Sequence, residues 1–145
     1  MHTKRCAWAK GDPLPEYHDK EWGAPIHDDA QLFEFLVIEG AQAGLSWPSI
    51  LEKRRNCHEA FASFDVGKVA RLVVRNAERL LAHLGIIRNS LKITAAIANA
   101  RKLSEIRKEF GSFDRFLWRF TRGRPGRNKF NHCQPYPPQQ LNLTL

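Results

Sequence analysis

The sequence predicts an all-α domain, and three observations carry that reading. Apolar residues recur at helical spacing, most plainly Ile93, Ala96, Ile97, Ala100 and Leu103. Helix-start signals stand where such runs begin: Asp28 or Asp29, Ser46-Trp47-Pro48, Asp65 and Ser112. No segment alternates apolar and polar residues as a half-buried strand would.

Residues 1–27 are rich in Gly, Pro, aromatics and His without a sustained period. They read as an irregular cap carrying Cys6, Trp8, Tyr17, His18 and Trp22. A helix then runs from Asp28 or Asp29 to about Glu39. Ser46 caps the next, with Pro48 in its first turn, Ile50, Leu51, Cys57 and Phe61 inward, and Lys53, Arg54 and Arg55 exposed. Asp65 caps a short helix with Val66, Val69 and Leu72, and another covers about Ala77–His83. A sharp break at Leu84–Asn89 leads into a longer helix over about Ser90–Arg107. Ser112 caps a last, aromatic helix with Phe113, Phe116, Leu117, Trp118 and Phe120. Beyond it the chain turns basic and breaker-rich (Arg122–Arg127), then polar with Pro135, Pro137 and Pro138, so disorder is expected from about Thr121. The predicted organisation is one helical domain, 1–120, with a tail, 121–145.

At 145 residues, with 43% hydrophobic and 26% charged, the composition is that of an ordinary single globular domain. The net charge of +8 is not ordinary. It favours a polyanionic partner, nucleic acid before an acidic membrane surface. No run approaches the roughly 18 apolar residues of a membrane span. No apolar signal segment follows Met1–Arg5, so a cytoplasmic location is expected. Three cysteines, Cys6, Cys57 and Cys133, form no disulfide framework and fit a reducing compartment.

The stretch Leu36–Trp47 concentrates the chemistry. On a helix, Glu34 neighbours Ala30, Gln31 and Ile38 and can face water. Glu39 instead follows Phe35 and Leu36, so its carboxylate must be desolvated, paired, or lining a cavity. Gly40, Ala41, Ala43 and Gly44 leave room beside it, and Trp47 supplies a flat ring. A pocket is one reading; a partly exposed acid near a helix end, with Trp47 in the core, is the other. Trp8, Tyr17 and Trp22 divide the same way, between core packing and stacking a planar base. At Leu84–Asn89 a glycine turn exposes a helix N-terminus beside Arg88 and Lys92, a natural phosphate seat that is also what any helix pair needs as a turn. Cys6 and His18 are a possible pair of metal ligands, against a buried thiol and a hydrogen-bonded imidazole. Adjacent His132 and Cys133 make a sterically awkward second pair.

Arg5-Cys6-Ala7-Trp8, Tyr17-His18-Asp19-Lys20-Glu21-Trp22-Gly23, Glu39 through Trp47, and Gly85-Ile86-Ile87-Arg88-Asn89 before Lys92-Ile93 together resemble the 3-methyladenine DNA glycosylase I family. The resemblance covers about Arg5 to Phe120. It implies a helix-hairpin-helix DNA glycosylase fold, and a monomer excising N3-methyladenine from alkylated double-stranded DNA by hydrolysis of the N-glycosidic bond. It implies roles as well: Glu39 as the acid that meets the extruded base, Tyr17 and Trp47 as base-pocket aromatics, and Trp8 and Trp22 lining or supporting them. Gly85, Ile86, Ile87, Arg88, Asn89 and Lys92 match the DNA-binding hairpin. Cys6 and His18 match two of four ligands of a structural zinc.

Three departures stand out. The segment Asp12–Tyr17 is about one residue short of the family pattern and carries Pro15 where an aromatic is usual, and Cys57 also replaces an aromatic. The family pattern continues for some tens of residues past this chain, through the remaining His and Cys ligands, which leads to an expectation of a truncation, or of a frameshift near Asn131. A truncated, catalytically inactive helix-hairpin-helix module that still binds DNA is the alternative to the enzyme.

Overall fold

The structure is a computed structural model that describes residues 5–126. Within them the fold is all-α: α1 (Leu14–Lys20), α2 (Asp29–Ala41), α3 (Trp47–Ala60), α4 (Val66–Ala70), α5 (Val74–Ala82), α6 (Ser90–Phe110) and α7 (Phe113–Trp118). Single 3₁₀ turns follow α3 and α7, at Ala62–Phe64 and Arg119–Thr121. The part of the expected disordered tail beyond residue 126 lies outside the described residues.

The start signals act as caps. Side-chain oxygens of Asp28, Ser46, Asp65 and Ser112 accept from the backbone N–H groups of Gln31, Ser49, Lys68 and Arg115. Asp29, the alternative cap for α2, reaches across the fold instead. Its carboxylate accepts from the leading amides of α7, Phe113 N–H at 3.1 Å and Asp114 N–H at 2.9 Å. Trp118 Nε1 donates to Ile26 O at 2.9 Å and His27 stacks on the Trp118 ring, so α7 clamps the segment that precedes α2.

Helix α6 is the axis, touching α2, α4, α5 and α7. Its stripe Ile93, Ala96, Ile97, Ala100 and Leu103 is buried as its spacing predicts. Phe33 and Phe64, both fully buried, meet edge-to-face at the centre of the core. Phe64 closes a turn in which Ala62, Ser63 and Phe64 all have left-handed backbone, φ 52, 56 and 53°. Left-handed conformation costs about 1–2 kcal/mol per residue. Burying the Phe64 ring between Phe33 and Phe61 offsets much of that.

Two expectations fail here. The N-terminal cap is not irregular throughout, because α1 lies within it. That helix has seven residues, Pro13 at its N-cap and Pro15 in its first turn, and buries Leu14 and Tyr17, too short a run to show a period. Glu34 does not face water and Arg54 is not free: Glu34 is 6% exposed. Arg54 Nε donates to Glu34 Oε1 at 2.7 Å, and Nη1 donates to Glu21 Oε2 at 2.6 Å. The guanidinium also lies over the Phe35 ring, 5.1 Å from its centroid. Arg54 therefore ties the C-cap of α1 and the middle of α2 to α3.

Arg54→Ala leaves Glu34 buried and unpaired, so it destabilises the fold by about 3 kcal/mol, at the low end of the range because Arg54 keeps some contact with water. The urea midpoint measures this. A change within about 0.5 kcal/mol, the scatter of neutral surface substitutions, would show that the network contributes nothing.

Candidate functional site

The end of α2, the start of α3 and all of α1 converge on a cavity of about 400 Å³ open to the surface. Leu14 and Tyr17 come from α1, Glu39 and Gln42 from the C-terminal turn of α2, and Trp47 and Pro48 from the first turn of α3, with Trp8 and Trp22 flanking α1. The five residues expected at a base pocket, Trp8, Tyr17, Trp22, Glu39 and Trp47, thus face one space although they lie up to 39 positions apart in the chain.

Ring packing holds the wall. Tyr17 meets Trp47 edge-on at 5.3 Å between centroids, and Trp8 meets Trp22 edge-on at 5.2 Å. His18 stacks on Trp22 at 5.3 Å behind them. Backbone geometry adds to this: the N–H groups of Glu21 and Trp22 both donate to Tyr17 O, at 2.9 Å, which fixes Trp22 relative to Tyr17. Trp8 and Trp22 keep 42% and 51% of their surface exposed, more than core packing leaves. Gly44 gives the turn before α3 its left-handed step, φ 79°, and a Cβ at Gly40 or Gly44 would meet nothing. Neither glycine lines the cavity beside Glu39.

Glu39 is exposed to the mouth of the cavity and takes part in no ion pair among the described residues. Its charge is felt nonetheless. Burial pushes the Tyr17 hydroxyl above its ordinary pKa, and the carboxylates of Glu39 and Glu21 push it further, against Arg54 and the nearby Trp47 indole. That indole N–H is buried and finds no acceptor at hydrogen-bonding geometry among the described residues. Tyr17 is consequently a neutral hydroxyl in the cavity wall at physiological pH.

Cys6 and His18 lie side by side, and the contact is already satisfied. Cys6 N–H donates to His18 Nε2 at 3.3 Å, which leaves Nδ1 to donate to Asp19 Oδ1 at 2.9 Å. Arg5 and then His18 hold the Asp19 carboxylate at about 2. No group of three or more His, Cys, Asp or Glu able to hold a metal occurs among the described residues. Two candidate ligands, one with its ring nitrogen engaged, do not fit a four-coordinate zinc by themselves. His132 and Cys133 lie outside the described residues.

The hairpin joins α5 to α6 through Leu84–Asn89. A Cβ on Gly85 would sit 2.7 Å from Asn56 Nδ2, the group that donates to Gly85 O. A side chain here would force the Asn56 amide and the His83 ring to shift and would disturb the bond that ties the turn to α3. Arg88 and Asn89 are exposed, Leu84 and Leu91 strongly so, and Asn89 caps α6 by accepting from Lys92 N–H. Ile86 is different: at 3% exposure it belongs to the core, and Ile87 is half-buried against it. A short apolar connection must be anchored, so any DNA contact of these two falls to their backbone. Lys92 is half-buried. Its ammonium donates to Ala41 O and Ala43 O, both at 2.7 Å.

A model of the methyladenine glycosylase family matches residues 8–142 of this chain. The chain belongs to that family. DNA-3-methyladenine glycosylase 1 of Escherichia coli (strain K12) is 44% identical over 123 residues, 84% of this chain and 66% of that relative. A crystal structure of 3-methyladenine DNA glycosylase I matches with a TM-score of 0.80 and 44% identity, over 84% of this chain and 68% of that one. A solved variant of 3-methyladenine DNA glycosylase I, in complex with 3-methyladenine, matches with a TM-score of 0.80 and 36% identity, over 83% of this chain and 65% of that one. This methyladenine glycosylase family member therefore spans about two thirds of the length of these relatives, 66% for the Escherichia coli protein.

Gln42, Leu14 and Pro48 join the cavity without having been singled out in the sequence. Helical spacing places Gln42 on the face of Glu39, three residues on, which is the signal that would have found it.

If the environment of Tyr17 is as described, the phenolate absorbance lost in Tyr17→Phe titrates above the ordinary tyrosine value of 10. Because the folded value is raised, the stability this residue contributes is complete below pH 10 and falls as pH rises through the folded value. A difference titration centred at or below 10 would contradict the closed, negatively charged setting.

Proposed function

We propose that this chain is a DNA base-excision glycosylase that hydrolyses the N-glycosidic bond of N3-methyladenine in alkylated double-stranded DNA. The observation that carries the reading is the cavity itself: aromatic faces and one carboxylate without an ion-pair partner among the described residues, with room for a single extruded base, in a member of the methyladenine glycosylase family.

N3 methylation makes adenine in DNA cationic, so the base stacks favourably on electron-rich rings and sits well beside Glu39. Tyr17 and Trp47, in contact with each other, and Trp8 and Trp22, likewise paired, supply those rings. The bond from sugar C1′ to the base breaks with both electrons going to the base, which leaves uncharged. Water then adds at C1′ and gives up a proton. A cationic purine is already a good leaving group, so recognition and extrusion supply much of the selectivity, and Glu39 serves as the acid that recognises the base and stabilises positive charge. The exposed Arg88, Asn89 and the backbone of Gly85–Ile87, at the N-terminus of α6, meet the phosphates. The net charge of +8 favours this contact. No helix among the described residues is long and apolar enough to cross a membrane. Action as a monomer in the cytoplasm completes the reading. A structural zinc on Cys6 and His18 would need its remaining ligands from outside the described residues.

Release of 3-methyladenine from methylated duplex DNA tests the proposal. The chain releases the base, and Glu39→Gln lowers the rate at least about tenfold, a loss of roughly 1.4 kcal/mol of transition-state stabilisation. Release untouched by that change would remove Glu39 from its role. Salt-sensitive duplex binding with no release by the unaltered chain would instead favour a DNA-binding module without activity.

A further inference from the structure

We propose that Lys92 is a positioning residue that couples the DNA-binding hairpin to the base cavity by holding the backbone on either side of Gln42, and that it is not a phosphate contact. The inference deepens the glycosylase reading and rests on it for the identity of the base, while the coupling itself rests on geometry alone. The ammonium of Lys92 donates to Ala41 O and Ala43 O, both at 2.7 Å, across 51 and 49 residues of sequence. Ala41 is the last residue of α2 and Gln42 its C-cap. A cation there satisfies carbonyls that the helix leaves without partners and complements the negative end of its dipole.

What lies between those two carbonyls gives the contact its significance. Gln42 lines the cavity three residues beyond Glu39, and its own carbonyl accepts from Leu45 N–H at 2.7 Å, closing the turn that delivers Trp47. At the other end, Lys92 sits in the first turn of α6, where its backbone N–H is taken by the cap Asn89 of the hairpin. The lysine stem runs between a small internal cavity beside Ile50, Cys57 and Ile93 and an apolar groove beside Leu36 and Leu91. Its half-buried path fixes the direction of the ammonium. A duplex seated on the hairpin and a base seated in the cavity are thus referred to the same turn.

Lys92→Met keeps the stem and removes the donors, and Lys92→Arg keeps a cation should the first variant fold poorly. Amide hydrogen exchange in the free protein is the direct readout. In Lys92→Met, exchange at Gln42 and Leu45 rises at least about tenfold while the amides in the middle of α3 are unchanged. Lys92→Arg falls between this and the unaltered chain. The salt dependence of binding to unmodified duplex DNA keeps its slope, whereas loss of a phosphate contact lowers that slope by about one. Release of 3-methyladenine falls about tenfold or more, and the Lys92→Met, Gln42→Ala double variant is no slower than the slower single variant, because both act through one side chain. Unchanged exchange at Gln42 and Leu45, a reduced salt slope, or additive losses would each overturn the proposal. Should the unaltered chain release no base, the glycosylase reading fails, while exchange and salt slope still decide the role of Lys92.

Discussion

The guanidinium of Arg54 is the interaction on which the arrangement of the cavity depends. It reaches Glu34 on α2 and Glu21 at the end of α1 from its own place on α3. A buried carboxylate without such a partner would be too costly to keep, so the three helices are committed to one relative placement. Each of them contributes to the cavity. Glu21 and Trp22 are tied to Tyr17 O, so the pull of Arg54 on Glu21 is also a pull on Tyr17 and Trp22.

The site divides its work between a rigid frame and a soft rim. Phe33, Phe64 and the buried stripe of α6 fix the helices that carry Glu39 and Trp47. Trp8 and Trp22 sit at the mouth, half-exposed and held by each other and by His18. A planar cation entering such a cavity finds ring faces and a carboxylate already in place, so little ordering remains to be done on binding. The hairpin is joined to the same frame twice, through Asn56 at Gly85 and through Lys92 at the end of α2.

Much of this was legible in the sequence, and what was not shares one cause. Caps are local devices, so Asp28, Ser46, Asp65 and Ser112 announced their helices, and the spacing in α6 announced its buried face. Helix α1 offered too few residues for a period and began with prolines. Glu39 lines a cavity, one of the settings its helical neighbours allowed, but Glu34 was expected to face water because those neighbours alone were weighed. The partner that makes Glu34 a buried residue is Arg54, 20 positions away, and the cavity that leaves Glu39 open is assembled from residues of three helices. Lys92 was read only as a cation beside a possible phosphate seat, since the carbonyls it bonds lie about fifty residues upstream. Local chemistry marked which residues mattered; long-range contacts decided what each of them faces.

Equilibrium titration of the chain with 3-methyladenine, followed by tryptophan fluorescence, is the most direct measurement of the central claim, since Trp8, Trp22 and Trp47 all line the cavity. Saturable quenching by 3-methyladenine is expected, stronger than any response to adenine and lost when Trp47 is replaced by Leu. A folded chain whose fluorescence ignores 3-methyladenine, or answers adenine equally, would contradict it.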